Sequence, residues 1–303
     1  MAQGAPLPPA CMLRVLSGED WGRPWGLAPC PRTGALFVSD ERVGAVRRVD
    51  AEGAVADVAS GLRAPQGLVV AGERLFVCEA VRGRVVAVDL ASGRLETAWE
   101  GIRQPSGVDV TGEELYVASA GSHAVLRRDL RCREEARVVA GVPGSAGNMK
   151  HEACGDGGDA TASRLFSPSH VAVSPSGAVY ISDSYNGRVR EVAGGVIRTV
   201  AGADQSAPRG NRGRALEINI GQPRGIACSP DGRLFTATVP GMVWELRSDE
   251  MVPVAGTWVD GSNGDEGDAL EMRLNTPCGV ACWGALLAIA DSDNRRVCVV
   301  ESI

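Results

Sequence analysis

One recurrence constrains this chain more than any other feature. A proline opens a short strand six times, at Pro24, Pro65, Pro105, Pro168, Pro223 and Pro277. Each opening is followed by an apolar strand: Leu36–Asp40, Leu75–Glu79, Leu115–Ser119, Ala178–Ser182, Leu234–Thr238 and Leu287–Asp291. The fourth copy is the clearest. Strands are predicted at 171–173, 178–182, 188–192 and 196–201, separated by Pro175-Ser176-Gly177, by an Asp-rich loop at 183–187, and by Gly194-Gly195. Short strands with a turn after each form an antiparallel meander. One meander cannot bury both of its faces, so it must stack on neighbours of its own kind. Six such units that close radially predict an all-β, six-bladed β-propeller of four-stranded antiparallel blades.

The ends of the chain complete this arithmetic. Blades are expected at 24–61, 62–101, 102–141, 165–202, 220–256 and 275–303. The last has only three strands of its own, whereas Met12–Gly18 reads as a strand with no place in the first blade. The closure predicted is therefore an N-terminal strand added to the last blade, which also covers an exposed edge. Residues 1–11 are expected to be a flexible, Pro-rich lead and 12–303 a single propeller.

The blade junctions are unequal. Val142–Arg164 is an insertion between blades three and four, and shorter versions occupy 203–219 and 257–274. Each follows a Val-Ala-Gly, at 139–141, 200–202 and 254–256, and carries a related hexapeptide: Gly155–Ala160, Gly210–Ala215 and Gly264–Ala269. The first Gly of each lies at the same distance from the next blade-opening proline. The second half of the ring is decorated and the first half is not.

Composition narrows the function. The net charge of −6 argues against general binding to a nucleic-acid backbone, which needs clustered Lys and Arg. No apolar run approaches the ~18 residues of a membrane helix, and the start lacks the basic and apolar regions of a signal peptide. The nine cysteines are odd in number and form no CxxC. Several fall in predicted strands, where a thiol packs as a small apolar group. Reduced cysteines in an intracellular, reducing compartment are the expectation.

The segments Asp183-Ser-Tyr-Asn186-Gly-Arg188-Val189 and Asp291-Ser-Asp-Asn294-Arg-Arg296-Val297, together with the Val-Ala-Gly and Gly-Asp-x-Gly inserts, resemble NHL-repeat β-propellers. The resemblance covers about residues 12–303, and the motif is degenerate in the other blades: Val43, Arg82, His123 and Met242 stand at or near motif positions. It implies a platform that binds a protein, RNA or another ligand on one face. Among related propellers it also implies a minority of enzymes, a zinc lyase and calcium-dependent lactonases or esterases.

In such a disc the innermost strand starts on the face where the second strand ends. Trp25, Gln66, Ser106, Ser169, Arg224 and Cys278 are thus expected at one mouth of the central channel. The loops carrying Asp40, Glu79, Ser119, His123, Asp183, Tyr185, Thr238 and Asp291 are expected to join them. The candidate contacts are Trp25, Gln66, Glu79, His123, His170, Tyr185, Arg224 and Asp291, because this ring varies in type where a structural ring would repeat. Asp183 with Asn186, and Asp291 with Asn294, also read as turn-makers that satisfy loop amides. Arg188 and Arg296 read as ties between neighbouring blades. Asp156, Asp159, Asp265 and Asp268 lack the alternating acids of a calcium loop and read as loop caps.

The expected function is a non-catalytic scaffold presenting its channel mouth to a protein or peptide. The first alternative is a metal-dependent lyase or hydrolase at the same mouth, and the second is an RNA-binding domain, which the acidic balance disfavours. No cofactor is expected. Under the first alternative, zinc or calcium would draw on His123, His170 and Asp183, and a three-His site would need His151 as well.

Overall fold

The structure is a computed structural model that describes residues 11–16, 21–132, 135–148 and 155–301. Most of the predicted lead, together with His151 and Cys154, lies outside the described residues. Strands are numbered in chain order. Blade one holds β2 Pro24–Pro29, β3 Leu36–Asp40, β4 Ala45–Val49 and β5 Val55–Ala59. Blade two holds β6 Pro65–Ala71, β7 Arg74–Glu79, β8 Arg84–Asp89 and β9 Leu95–Glu100. Blade three holds β10 Pro105–Thr111, β11 Glu114–Ser119, β12 Ala124–Asp129 and β13 Arg137–Ala140. Blade four holds β14 His170–Val173, β15 Val179–Asp183, β16 Arg188–Ala193 and β17 Val196–Ala201.

Blades five and six are wider. In blade five, β18 Gly213–Arg214 lies outside β22 Glu250–Gly256, which is followed inward by β21 Met242–Arg247, β20 Leu234–Val239 and β19 Gln222–Cys228. In blade six, β24 Pro277–Trp283, β25 Leu286–Asp291 and β26 Arg296–Val300 are joined by β1 Met12–Val15, and β23 Glu266–Asp268 covers β1 in turn. All named pairings are antiparallel. Leu13 lies opposite Val300 and Val15 opposite Cys298. The ring is closed by the N-terminal strand on the last blade, as predicted.

The core is not central. It forms six clusters, one in each seam between neighbouring blades. Leu27, Leu36 and Val38 of blade one pack with Ala288, Val297 and Val299 of blade six, and Phe76, Val85 and Ala87 of blade two pack with Val108, Leu115 and Val117 of blade three. This is why the inner strands are apolar on both faces: each blade is covered on two sides, and in blades one and two only the outer strand is largely exposed.

The innermost strands approach each other more closely than side chains permit. A Cβ on Gly107 would lie 2.5 Å from the Cα of His170, and one on Gly279 would lie 2.1 Å from the carbonyl oxygen of Trp25. The Gly after each opening Pro-x therefore sets the bore of the channel. In blade four that position is His170, whose ring turns into the channel instead.

Candidate functional site at the channel mouth

Five of the six predicted strand-opening residues converge. Trp25, Gln66, Ser106, Ser169 and Arg224 line one cavity of about 500 Å³ at the mouth, with Glu41, Ala64, Ala80, Val81, Gln104, Ala120 and Ser167 completing its wall. Cys278 stays beneath the surface, where burial pushes its thiol up to about 11.

The wall is built by the geometry of each blade opening. Ala64, Gln104 and Ser167, each directly before a blade-opening proline, have φ of 50°, 49° and 52°. This left-handed backbone costs a non-glycine residue about 1–2 kcal/mol. It is held in place by the facing loops: Ala80 N–H donates to the Ala64 carbonyl at 3.2 Å and Ala120 N–H to that of Gln104 at 3.0 Å. Strained backbone of this kind gathers where a surface has been shaped for contact.

Polar groups at the mouth fall into two classes. Most are spent. Arg23 donates to Glu41 at 2.5 Å and to Asp293 at 2.8 Å, and Gln66 donates to Glu41 at 2.9 Å. The Arg23 guanidinium also lies 4.9 Å from the centre of the Trp25 ring. Ser106 and Ser169 hydroxyls donate to backbone carbonyls of the next blade. Arg224 is different. Its Nε is shut away from solvent with no hydrogen-bond partner, and no carboxylate lies within ion-pair distance of it among the described residues. Its guanidinium sits 6.0 Å from the centre of the Tyr185 ring, which packs edge-on against Phe166 at 5.1 Å.

The loop acids predicted at the mouth lie one layer down. Glu79 is fully buried and accepts from Arg63 N–H at 2.7 Å, from Arg82 at 3.0 Å and from Arg84 at 2.5 Å. Asp291 accepts from Asn275 N–H at 2.6 Å, from Asn294 at 2.8 Å and from Arg296 at 2.7 Å. Asp183 accepts from Phe166 N–H at 2.7 Å, from Asn186 at 2.8 Å and from Arg190 at 3.2 Å. Asp40 does the same for Gly22 and Arg23. In blades one, two, three, four and six the last side chain of the second strand turns back to fix the segment leading into that blade's first strand, whereas in blade five Thr238 accepts from Trp244 Nε1 at 3.1 Å instead. Burial pushes the Asp183 and Asp291 carboxyls up, against the pull of these partners. The residues that face the cavity are the next ones along: Glu41, Ala80 with Val81, and Ala120. Strand alternation carries the signal, because a residue one step past an inward-facing position points outward. Gln104 and Ser167 went unforeseen because nothing local marks the residue before a proline as exposed to a channel.

The two described histidines occupy different places. His123 Nδ1 accepts from Ser167 N–H at 3.1 Å, and its ring packs edge-on against Phe166. His170 lies deeper, in a second channel cavity of about 250 Å³ that also contacts Asp109, Cys228 and Cys282. Burial brings the His170 imidazole down to about 4 and pushes the Asp109 carboxyl up to about 6. Among the described residues no three His, Cys, Asp or Glu side chains converge as metal ligands. With Asp183 saturated and the His123 acceptor in use, these donors do not fit a zinc or calcium ion.

The predicted ties, Arg188 and Arg296, reach inserts rather than neighbouring blades, and Arg190 does the same. Arg190 donates to Asp156 at 2.5 Å, Arg188 to Asp204 at 2.7 Å, and Arg296 to the Gly264 carbonyl at 2.5 Å. Asp159 and Asp268 cap the following turns through Thr161 and Leu270 N–H.

Comparison with known proteins agrees with this architecture. Residues 103–209 match the teneurin NHL domain family, so the NHL resemblance holds across blades three and four and the insert between them. No curated protein matches the sequence. Among solved structures, the chain resembles an auxiliary nutrient binding protein from Bacteroides thetaiotaomicron VPI-5482, with TM-score 0.73 and 18% identity over 96% of this chain and 76% of that one. It also resembles a gluconolactonase from Xanthomonas campestris, with TM-score 0.67 and 16% identity over 96% and 89% of the two chains. A streptogramin B lyase aligns with TM-score 0.62 and 10% identity over 97% and 99%. At these identities the likeness is one of fold.

Proposed function

We propose that this propeller is a non-catalytic platform that binds a protein or peptide at the channel mouth. The observation that carries this reading is the composition of the mouth. Blades one to five contribute Trp25, Gln66, Ser106, Ser169 and Arg224 to one cavity, four residue types at five positions where a purely structural ring would repeat one. About 500 Å³ is within the range of clefts that hold small ligands or peptide side chains. Binding is favoured over catalysis because the wall offers no titratable pair positioned for acid–base work. Its one acid, Glu41, is engaged by Arg23 and Gln66. The reading calls for no cofactor. It suits a reducing compartment, in which Cys30, Cys78, Cys228, Cys278, Cys282 and Cys298 would stay reduced. Among the described residues no helix is long and apolar enough to cross a membrane.

A photo-crosslinking amino acid at Val81 or Gln104 tests the reading against the same probe at Ser92, in the β8–β9 turn at the opposite ends of the strands. The expected result is partner capture from the mouth positions and none from Ser92, reduced by Trp25→Ala. Capture from Ser92 alone would reject it.

A further inference from the structure

We infer that Arg224 is the anchor of the mouth, a guanidinium held ready for a carboxylate carried by the bound peptide. This deepens the reading above and rests on it for the identity of the ligand, but its physical basis is separate. The buried guanidiniums of blades four and six are answered from within the chain. Arg188 meets Asp204, Arg190 meets Asp183 and Asp156, and Arg296 meets Asp291. Leaving a buried N–H without an acceptor is costly, and the cost is larger for a charged group. At the channel mouth the chain leaves Arg224 Nε in that condition, as it leaves Arg190 Nε within blade four, but of these guanidiniums Arg224 alone has no carboxylate within ion-pair distance among the described residues.

The main chain that carries this side chain is also held still. Ser169 Oγ donates to the Arg224 carbonyl at 2.8 Å, and Ser184 Oγ donates to that of Pro223 at 2.6 Å. The following residue, Gly225, is wedged against the backbone of Cys278 and Gly279. Tyr185 supports the guanidinium from one side. A planar fork fixed in this way prefers a planar, bidentate acceptor.

Charge selects among oxyanions. Glu41 is in the same wall, and Asp293 is close enough to feel the charge of Arg224. A dianionic phosphate would meet both of these acids, whereas a monoanionic carboxylate meets them at half the charge. Gln66 and Gln104 supply amide groups along the same wall, suited to the peptide units next to such a carboxylate.

The test follows the Arg224 Nε–H resonance by NMR, assigned by its absence in Arg224→Lys. The probes, at matched ionic strength, are acetate, glutarate, N-acetyl-trialanine with a free C-terminus, the same peptide amidated, and inorganic phosphate. A saturable shift is expected with the three carboxylates and not with the amidated peptide. Arg224→Gln should weaken binding of the free-acid peptide by about 10- to 100-fold, the worth of a charged hydrogen bond. No shift with any carboxylate, or an equal shift with phosphate, would overturn the inference. If crosslinking at Val81 persists undiminished in Arg224→Gln, the anchor falls while the mouth reading stands. If acetate shifts the resonance and no partner is captured, the anchor stands without the partner.

Discussion

The two halves of the ring solve the same junction differently. Between blades one and two, and between two and three, the chain crosses at 60–64 and 101–104. Each crossing buries one apolar residue, Leu62 or Ile102, whose N–H donates to Gly44 or Gly83. In the decorated half the apolar plug remains, as Leu165, Ile220 and Leu274. A second layer lies beneath it. Gly141, Gly202 and Gly256 N–H donate to the carbonyls of Ala160, Ala215 and Ala269, and those alanines are buried. The insert then runs along the outer edge of the next blade, as a bridge at Asp159 to Val196 and as β18 and β23. The outer strands of blades four to six thus have a neighbour that β5 and β9 lack. Decoration adds edge cover and buried ion pairs, while the sealing contact is common to both halves.

The largest expected difference concerns those ion pairs. Arg190→Leu removes the cation beside Asp183, where neither side chain is exposed, and leaves it only the neutral donors Asn186 and Phe166 N–H, so it should cost about 3–5 kcal/mol, the penalty of a buried charge without a counter-charge. Arg84→Leu in the plain half leaves Glu79 with Arg82 and Arg63 N–H, and should cost about half as much or less. Chemical denaturation of the two variants measures this, and equal losses would break the comparison.

The junction glycines come next. A Cβ on Gly256 would lie 2.0 Å from the Gly241 carbonyl oxygen, with φ of 99°, whereas one on Gly101 meets nothing within 4 Å at φ of 80°. Gly256→Ala is expected to lose about 3 kcal/mol or more through backbone displacement. Gly101→Ala pays only the left-handed strain of about 1–2 kcal/mol. Melting temperatures of the two proteins would show the gap.

The seam between the halves carries a pH prediction. Asp109, in blade three, has a folded pKa raised to about 6, so its stabilisation is full below its unfolded value and fades as pH rises through 6. His170, in blade four, is lowered to about 4, so its stabilisation is present above pH 6.5 and fades as pH falls through 4. In the folded protein one group keeps a proton that the other gives up, and wild-type stability should be nearly flat between these values. Asp109→Asn should make stability rise with pH across this window, and His170→Ala should make it fall, each by at most ~3 kcal/mol. Urea midpoints measured across the window check both signs.

The smallest effect is expected at the insert surface. Asp265 is largely exposed and 3.4 Å from Arg296, so Asp265→Asn should change stability by less than about 0.5 kcal/mol. A larger loss in a melting scan would mean that the insert clamps blade six more firmly than its geometry shows.

Much of this was legible in the linear chain. The six Pro-opened units, the blade-four strands and the closing role of Met12–Val15 follow from periodicity and turn chemistry, which are local. So does the kinship of the three inserts, confirmed by the recurring Gly-to-Ala hydrogen bond. The site was legible by half. Strand openers converge because radial closure makes them converge, and Asp183 and Asp291 satisfy loop amides as their pairing with Asn186 and Asn294 implied, but Glu79 reads as a mouth residue and proves to be an internal cap. Loop sequence does not say whether a carboxylate faces out or turns back to an amide some 16 residues upstream.

The amino-acid order alone determined the number of blades, their strand count and the way the ring is closed, since these depend on patterns repeated within short range. Which charges are answered was decided only in three dimensions. Arg190 and Arg224 look alike on paper. One lies between Asp183 of the neighbouring strand and Asp156 of the insert, and the other lines the channel mouth with no carboxylate within ion-pair distance among the described residues, a difference that exists only once the segments are side by side.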